Sequence, residues 1–242
     1  MPPVRRMSSA RVSDAPRLRG RSVESRTKER ILDVAESLFA DRGVGATSLR
    51  RITRAARVNL AAVNYHFRSK EGLVAAVFSR RLDPLIAEQA ALLDEVEARA
   101  GTAAPRLEDV LRAVVRPAVA GESGLGARQE AFRRLLGRVF AEPGSRLQKL
   151  VKEKFVKLAQ RVDAIISRIL PGLSPGELFW CRHLLVGALH HVLLIADHPE
   201  SHAPPGLRPR FDPDGMVERI VAFAVAGYRA SAARAEEGRV LA

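Results

Sequence analysis

The run NLAAVNYHF, Asn59 to Phe67, sets two carboxamides, a phenol and an imidazole along one short stretch with alanines between them. A carboxamide donates and accepts at once, so an asparagine can meet both hydrogen-bonding groups on an adenine edge. Small neighbours let the backbone that carries it approach a base closely. On a helix, Asn59, Ala61, Ala62, Asn64, Tyr65 and His66 supply a small or polar outer face, while Val58, Val63 and Phe67 are the candidate core anchors. This chemistry reads a surface and breaks no bond. Two motifs for catalysis are missing elsewhere: there is no phosphate-binding glycine loop and no H-E-x-x-H. His183, His190 and His191 share one helical segment, but their spacing makes a poor metal cage. The single cysteine, Cys181, excludes an internal disulfide and a cysteine zinc cluster. No catalytic residue, metal or cofactor is expected, and the chain is not read as an enzyme.

The elements that position this stretch follow from apolar spacing and caps. Ile31, Leu32, Ala35, Leu38 and Phe39 repeat on one helical face, with Gly43 as a stop signal. Thr47-Ser48 caps a short helix from Leu49 to Ala56, and a third helix runs over about 60–67. Ser69 caps a fourth that starts at Lys70-Glu71. Two short helices joined by Arg57-Val58-Asn59 and packed on a longer one have the layout of a helix-turn-helix, whose second helix enters a major groove.

Charge agrees with that reading. The 242-residue chain carries a net charge of +13; residues 1–81 hold 18 Lys/Arg against 7 Asp/Glu, and the remainder 22 against 20. The polyanion-binding surface therefore lies in the first third. Residues 1–24 mix Pro, Ser, Gly and Arg without apolar periodicity and read as a disordered basic arm. The expected organisation is that arm, a DNA-binding domain over 25–72, a larger domain over 73–234 and a flexible tail over 235–242. Alternating β-branched runs are hard to find, so the fold class is all-α. No secretory signal or stretch of eighteen uninterrupted apolar residues is present, which gives a soluble, cytoplasmic expectation without a membrane partner.

The segments ILDVAESLFADRGVGATSLRRIT, VNLAAVNYHF and SKEGLVAAVF resemble the DNA-binding domain of the TetR family, continuously over about fifty residues. The resemblance implies phosphate contacts from Ser48, Tyr65 and Lys70, a base or phosphate contact from Arg50, and base contacts near Ala61, Ala62 and Asn64. It implies a repressor that binds a palindromic operator as a homodimer and is released by a small effector. The alternative is a sequence-neutral architectural DNA-binding protein. One departure stands out: the family usually has Gly where this chain has Arg57, a turn position that often needs a left-handed backbone.

In the larger domain, six helical blocks are punctuated by Gly and Pro. Leu185, Ala188, Val192 and Ile195, with Val217, Ile220, Ala224 and Tyr228, recur at helical spacing on the last two blocks and are the expected dimer interface. Phe132, Phe140, Phe155, Phe179, Trp180 and His183 are candidates to line an effector pocket, with Arg133, Arg134 and Arg182 available to an acidic ligand. The segments VNLAAVNYHF, RRLLGRVFAEPG and LFWCRHLLVGALHH are similar to a TetR subgroup responsive to fatty acids or acyl-CoA, which implies that effector class. Pro84 predicts a hinge near Asp83 in the helix that leaves the DNA-binding domain.

Overall fold

A computed structural model describes residues 15–121, 130–141, 146–196 and 198–240. They form α1 (Ala15–Arg42), α2 (Leu49–Ala56), α3 (Leu60–Phe67), α4 (Lys70–Ala100), α5 (Leu107–Val119), α6 (Glu130–Ala141), α7 (Arg146–Ile169), α8 (Pro175–Ile195) and α9 (Pro213–Val240), with a 3₁₀ turn at Pro199–His202. No strand occurs among the described residues, so the chain is all-α.

Three short connections fix the first four helices. The buried hydroxyl of Thr47 donates to the Leu38 carbonyl at 3.2 Å and the Gly43 carbonyl at 2.8 Å, pinning the α1–α2 loop. Ser48, Asn59 and Ser69 each accept a hydrogen bond from a backbone N–H in the first turn of α2, α3 and α4. Each cap satisfies a donor that the helix itself cannot. A Cβ at Gly72 would collide with the Phe67 carbonyl oxygen, so α4 can leave α3 this closely only with glycine there. Ile31, Ala35 and Phe39 of α1 meet Ile52, Val63, Leu73 and Phe78 in one buried core.

Beyond it, α5 lies between α4 and α9, and α8 packs on α9. Ion pairs stitch the layers: Arg161 to Asp94 (2.6 Å) and Glu97 (2.8 Å), and Lys154 to Asp83 (2.6 Å), join α7 to α4. Arg112 to Glu218 (2.8 Å) joins α5 to α9.

Three boundaries differ from expectation. α1 begins at Ala15, so residues 15–24 of the expected arm are helical; residues 1–14 lie outside the described residues. Once a helix is anchored by packing, each added residue gains a hydrogen bond, and Pro16 at its start lacks only an N–H that would have no helical partner. α9 likewise runs through the expected tail to Val240, over an Ala-, Glu- and Arg-rich stretch of high helix propensity. Finally, α4 continues through Pro84 without ending.

Candidate nucleic-acid interface

α3 buries Val63 and Phe67 and leaves Asn59, Ala61, Asn64 and Tyr65 exposed, with Ala62 and His66 half-buried at the edge of the face. Tyr65 is the most exposed large side chain here, at 72%; its ring meets His66 edge-on at 5.1 Å. The structure thus brings the sequence-expected readers together on one outward surface. Their availability is unequal. The Oδ1 of Asn59 accepts from the Ala62 N–H at 2.8 Å, so this side chain is committed to capping. Asn64 is the exposed carboxamide free to pair with a base edge in two bonds. The Ser48 oxygen accepts from the Arg51 N–H at 3.3 Å, which leaves its own O–H to donate.

Lys70 folds back, its Nζ donating to the Gly45 carbonyl at 3.3 Å, and so bridges the start of α4 to the α1–α2 loop. Next to it, backbone hydrogen bonding at the start of α4, helped by Ser69 and the charges of Arg146 and Lys70, holds the Glu71 carboxyl below its ordinary range. An anion at a helix N-terminus is stabilised in this way. Around these residues, Arg50, Arg51, Arg54, Arg57 and Arg68 are all exposed. Sequence reasoning singled out Arg50 and Arg57; Arg51 and Arg54 were legible as the outward positions of α2, and Leu60 at the start of α3 is exposed as well. Arg57 does take the left-handed conformation, at φ 52 and ψ 49. Its N–H donates to the Arg54 carbonyl and that of Val58 to the Thr53 carbonyl, a Schellman closure of α2.

The C-terminal candidates are placed differently from expectation. Leu185, Val217, Ile220, Ala224 and Tyr228 are buried inside this chain's own core, and Ala188, Val192 and Ile195 are half-buried, so the expected dimer face is the inward one. Burial also pushes the Tyr228 phenol up, beyond the ordinary tyrosine range. The outward face of α8 carries Trp180 (61% exposed), Leu184 (66%) and Leu194, and α9 adds Phe223 (68%). A helix apolar all round offers two stripes, and spacing alone does not say which faces inward.

Of the pocket candidates, Phe132 is core, edge-on to Phe78 at 5.4 Å, and Phe155 is half-buried against the core. Phe179, Trp180 and His183 stand on the exposed face of α8 and line no interior, because they fall between the positions of its buried stripe, Leu178, Cys181 and Leu185. The side chain of Phe140 lies outside those described. Arg182 pairs with Asp163 at 3.2 Å and Arg134 with Asp41 at 3.0 Å, while Arg133 is buried rather than on the surface.

A capped, cation-rimmed second helix on a three-helix base, held by a larger helical body, defines a helix-turn-helix regulator. Residues 31–77 match the family model for bacterial regulatory proteins of the tetR family, and residues 112–227 match that for the tetracyclin repressor-like C-terminal domain. The chain belongs to the TetR family of bacterial transcriptional regulators. The transcriptional repressor KstR2 of Rhodococcus jostii is 39% identical over 64 residues, 26% of this chain and 31% of the relative. The regulator AcrR of Shigella flexneri is 42% identical over 52 residues, 22% of this chain and 24% of the relative. The chain thus spans about a third or less of the curated relatives it matches. Among solved structures, a TetR-family regulator from Streptomyces coelicolor superposes with TM-score 0.54 at 22% identity, over 81% of this chain and 90% of that one. The fatty acid degradation regulator FadR from Bacillus halodurans does so with TM-score 0.56 at 14% identity, over 83% and 95%. These likenesses establish a shared fold.

Proposed function

We propose that this protein is a non-enzymatic transcriptional repressor, acting in the cytoplasm, that binds a palindromic operator as a homodimer and is released by a small effector. The observation that carries the DNA-binding part is α3 itself: an exposed, capped helix with Asn64 outward and arginines on both sides. Ser48, Tyr65, Arg50 and Lys70 hold phosphates; Asn64, Ala61 and Ala62 meet base edges. Phosphate contacts fix the register, and base contacts specify.

Dimerisation rests on the outward face of α8 and α9. Trp180, Leu184, Leu194 and Phe223 are large apolar side chains gathered on two packed helices, an arrangement that marks a surface meant to be covered. Burying it in a two-fold pair sets two copies of α3 about one DNA turn apart, on the order of 34 Å. The effector is a fatty acid or acyl-CoA. Support for this class is the segment resemblance given above and the B. halodurans neighbour, a fatty acid degradation regulator.

Selection of bound duplexes from a random pool tests the proposal. A two-fold symmetric site, bound far more tightly than random duplex at matched salt, is the expected result. A specificity ratio near one makes the protein an architectural binder instead. Addition of palmitoyl-CoA to the operator complex should then lower its affinity; an unmoved binding curve removes the effector class.

A further inference from the structure

Among the described residues, only two non-glycine residues have positive φ, and both are arginines: Arg57 at φ 52 and Arg68 at φ 64. They bracket α3, one in the turn before it and one at its C-terminal end. Left-handed backbone is disfavoured for residues with a Cβ, and glycine adopts it freely. Arg68 is held harder still. Its ψ of −41 and the 2.7 Å hydrogen bond from the Ser69 N–H to the Phe67 carbonyl close a three-residue γ-turn of the rare, strained hand. Two positions where glycine relieves the backbone therefore carry long cations.

The fold makes no visible use of those cations. Both side chains are exposed, and neither makes an ion pair or side-chain hydrogen bond among the described residues. Strain kept at a recognition element, without a structural return, points to function at that element. The geometry supplies one. Eight residues of α-helix span about 12 Å at ~1.5 Å per residue, which matches a major-groove width of about 12 Å. With α3 in the groove, cations at its two ends fall beside the phosphates of the opposite rims. A guanidinium binds phosphate in two parallel hydrogen bonds, and each contact releases condensed counterions.

We infer that Arg57 and Arg68 form a phosphate clamp that grips both rims of the major groove around α3, at the cost of backbone strain in the free protein. This inference rests on α3 being the DNA-reading helix. It separates the two arginines from those on α2, whose conformations are ordinary.

The test uses the full chain as wild type, Arg57→Gly, Arg68→Gly, the double glycine variant, and Arg57→Lys and Arg68→Lys. The probe is a fluorescein-labelled mixed-sequence duplex of about 30 base pairs, roughly three helical turns. Affinity is followed by anisotropy between ~50 and ~200 mM salt, and unfolding temperature is measured alongside. Each glycine variant should reduce the steepness of log K against log salt by about 0.9 and weaken binding about eightfold near 0.1 M salt. Each should also melt at or above the wild-type temperature, while the lysine variants keep the wild-type salt slope. An unchanged slope in both glycine variants overturns the clamp. So does a glycine variant that melts well below wild type, because the arginine would then serve the fold. A wild-type chain that fails to bind the duplex at all refutes the DNA-reading assignment itself, an outcome distinct from either.

Discussion

Glu36 is a carboxylate on which the fold depends, because it joins α1 to α4 from inside. It is 4% exposed. Arg81 grips it with Nε at 2.9 Å and Nη2 at 2.8 Å, and the Nη2 of Arg80 reaches it at 2.6 Å. Arg80 has two further acids, Glu29 at 3.2 Å and Asp33 at 2.7 Å, whereas Glu36 is the only ion-pair partner of Arg81 among the described residues. Glu36→Gln keeps the shape, removes the charge, and turns an N–H toward a guanidinium that needs an acceptor. Breaking a buried pair costs about 3–5 kcal/mol. Arg81 is partly open to water and Arg80 keeps its other acids, so we place the loss at about 2–3 kcal/mol, at or just under that range. For a chain of this size that lowers the unfolding midpoint by about 4–12 °C. Urea unfolding of Glu36→Gln, Arg81→Met and the double variant measures the pair directly. The coupling energy should exceed ~1 kcal/mol; additivity within about 0.5 kcal/mol would show that the contact holds nothing together.

Two further outcomes follow from the same geometry. Leu184→Glu combined with Phe223→Glu should leave helix content intact and convert a dimer to a monomer in sedimentation; a dimer that persists rules out this face as the interface. Arg161 and then Arg168 hold the Glu97 carboxyl below its ordinary value of 4.5, and Arg112 does the same for Glu218. A carboxyl depressed in the fold contributes stability that is present above the unfolded value and lost as pH falls through the folded one. Urea midpoints should therefore fall as pH drops below 4.5, and Glu97→Gln should flatten that fall. Equal pH profiles for the two proteins would show that Glu97 contributes none of it.

What the sequence makes legible here depends on whether a local device or a tertiary choice decides the outcome. Ser48 and Ser69 announce helix starts because a cap is chemistry between neighbours, and α2 and α4 begin where these residues place them. The same applies to Arg57, whose left-handed turn follows from the closure of α2. Arg68 gave no such sign: its γ-turn exists because Gly72 lets α4 leave α3 so closely. α8 fails for another reason. Leu185 and Leu184 are adjacent, both apolar, and one is buried and the other exposed; only the positions of the helices packed on α8 distinguish them. The Glu36 contact was also out of reach, since residues 44 and 45 positions apart in sequence meet only after α1 and α4 pack.

Pro84 sets the last question, which is whether α4 bends or moves as a rod. Proline removes the N–H that would bond to the Arg80 carbonyl, and this local rule predicts a hinge. Yet α4 runs unbroken from Lys70 to Ala100, tied to α1 through Arg80 and Arg81 just before the proline. Past it, Asp94 and Glu97 are tied to α7, and Asp83 beside it is tied to Lys154. Ties on both sides fix the helix direction across the weak point, so displacement at the α7 end reaches Glu36 as translation of the whole helix. Pro84 is exposed, so Pro84→Ala opens no cavity and restores the missing bond. An interior helical proline is about 3 kcal/mol less favourable than alanine, and some of that difference should return as stability. A rod predicts higher thermal stability with unchanged affinity for duplex at matched salt. Weaker DNA binding by Pro84→Ala would mean that the recognition helix depends on a bend at this residue, and the rod would have to be abandoned.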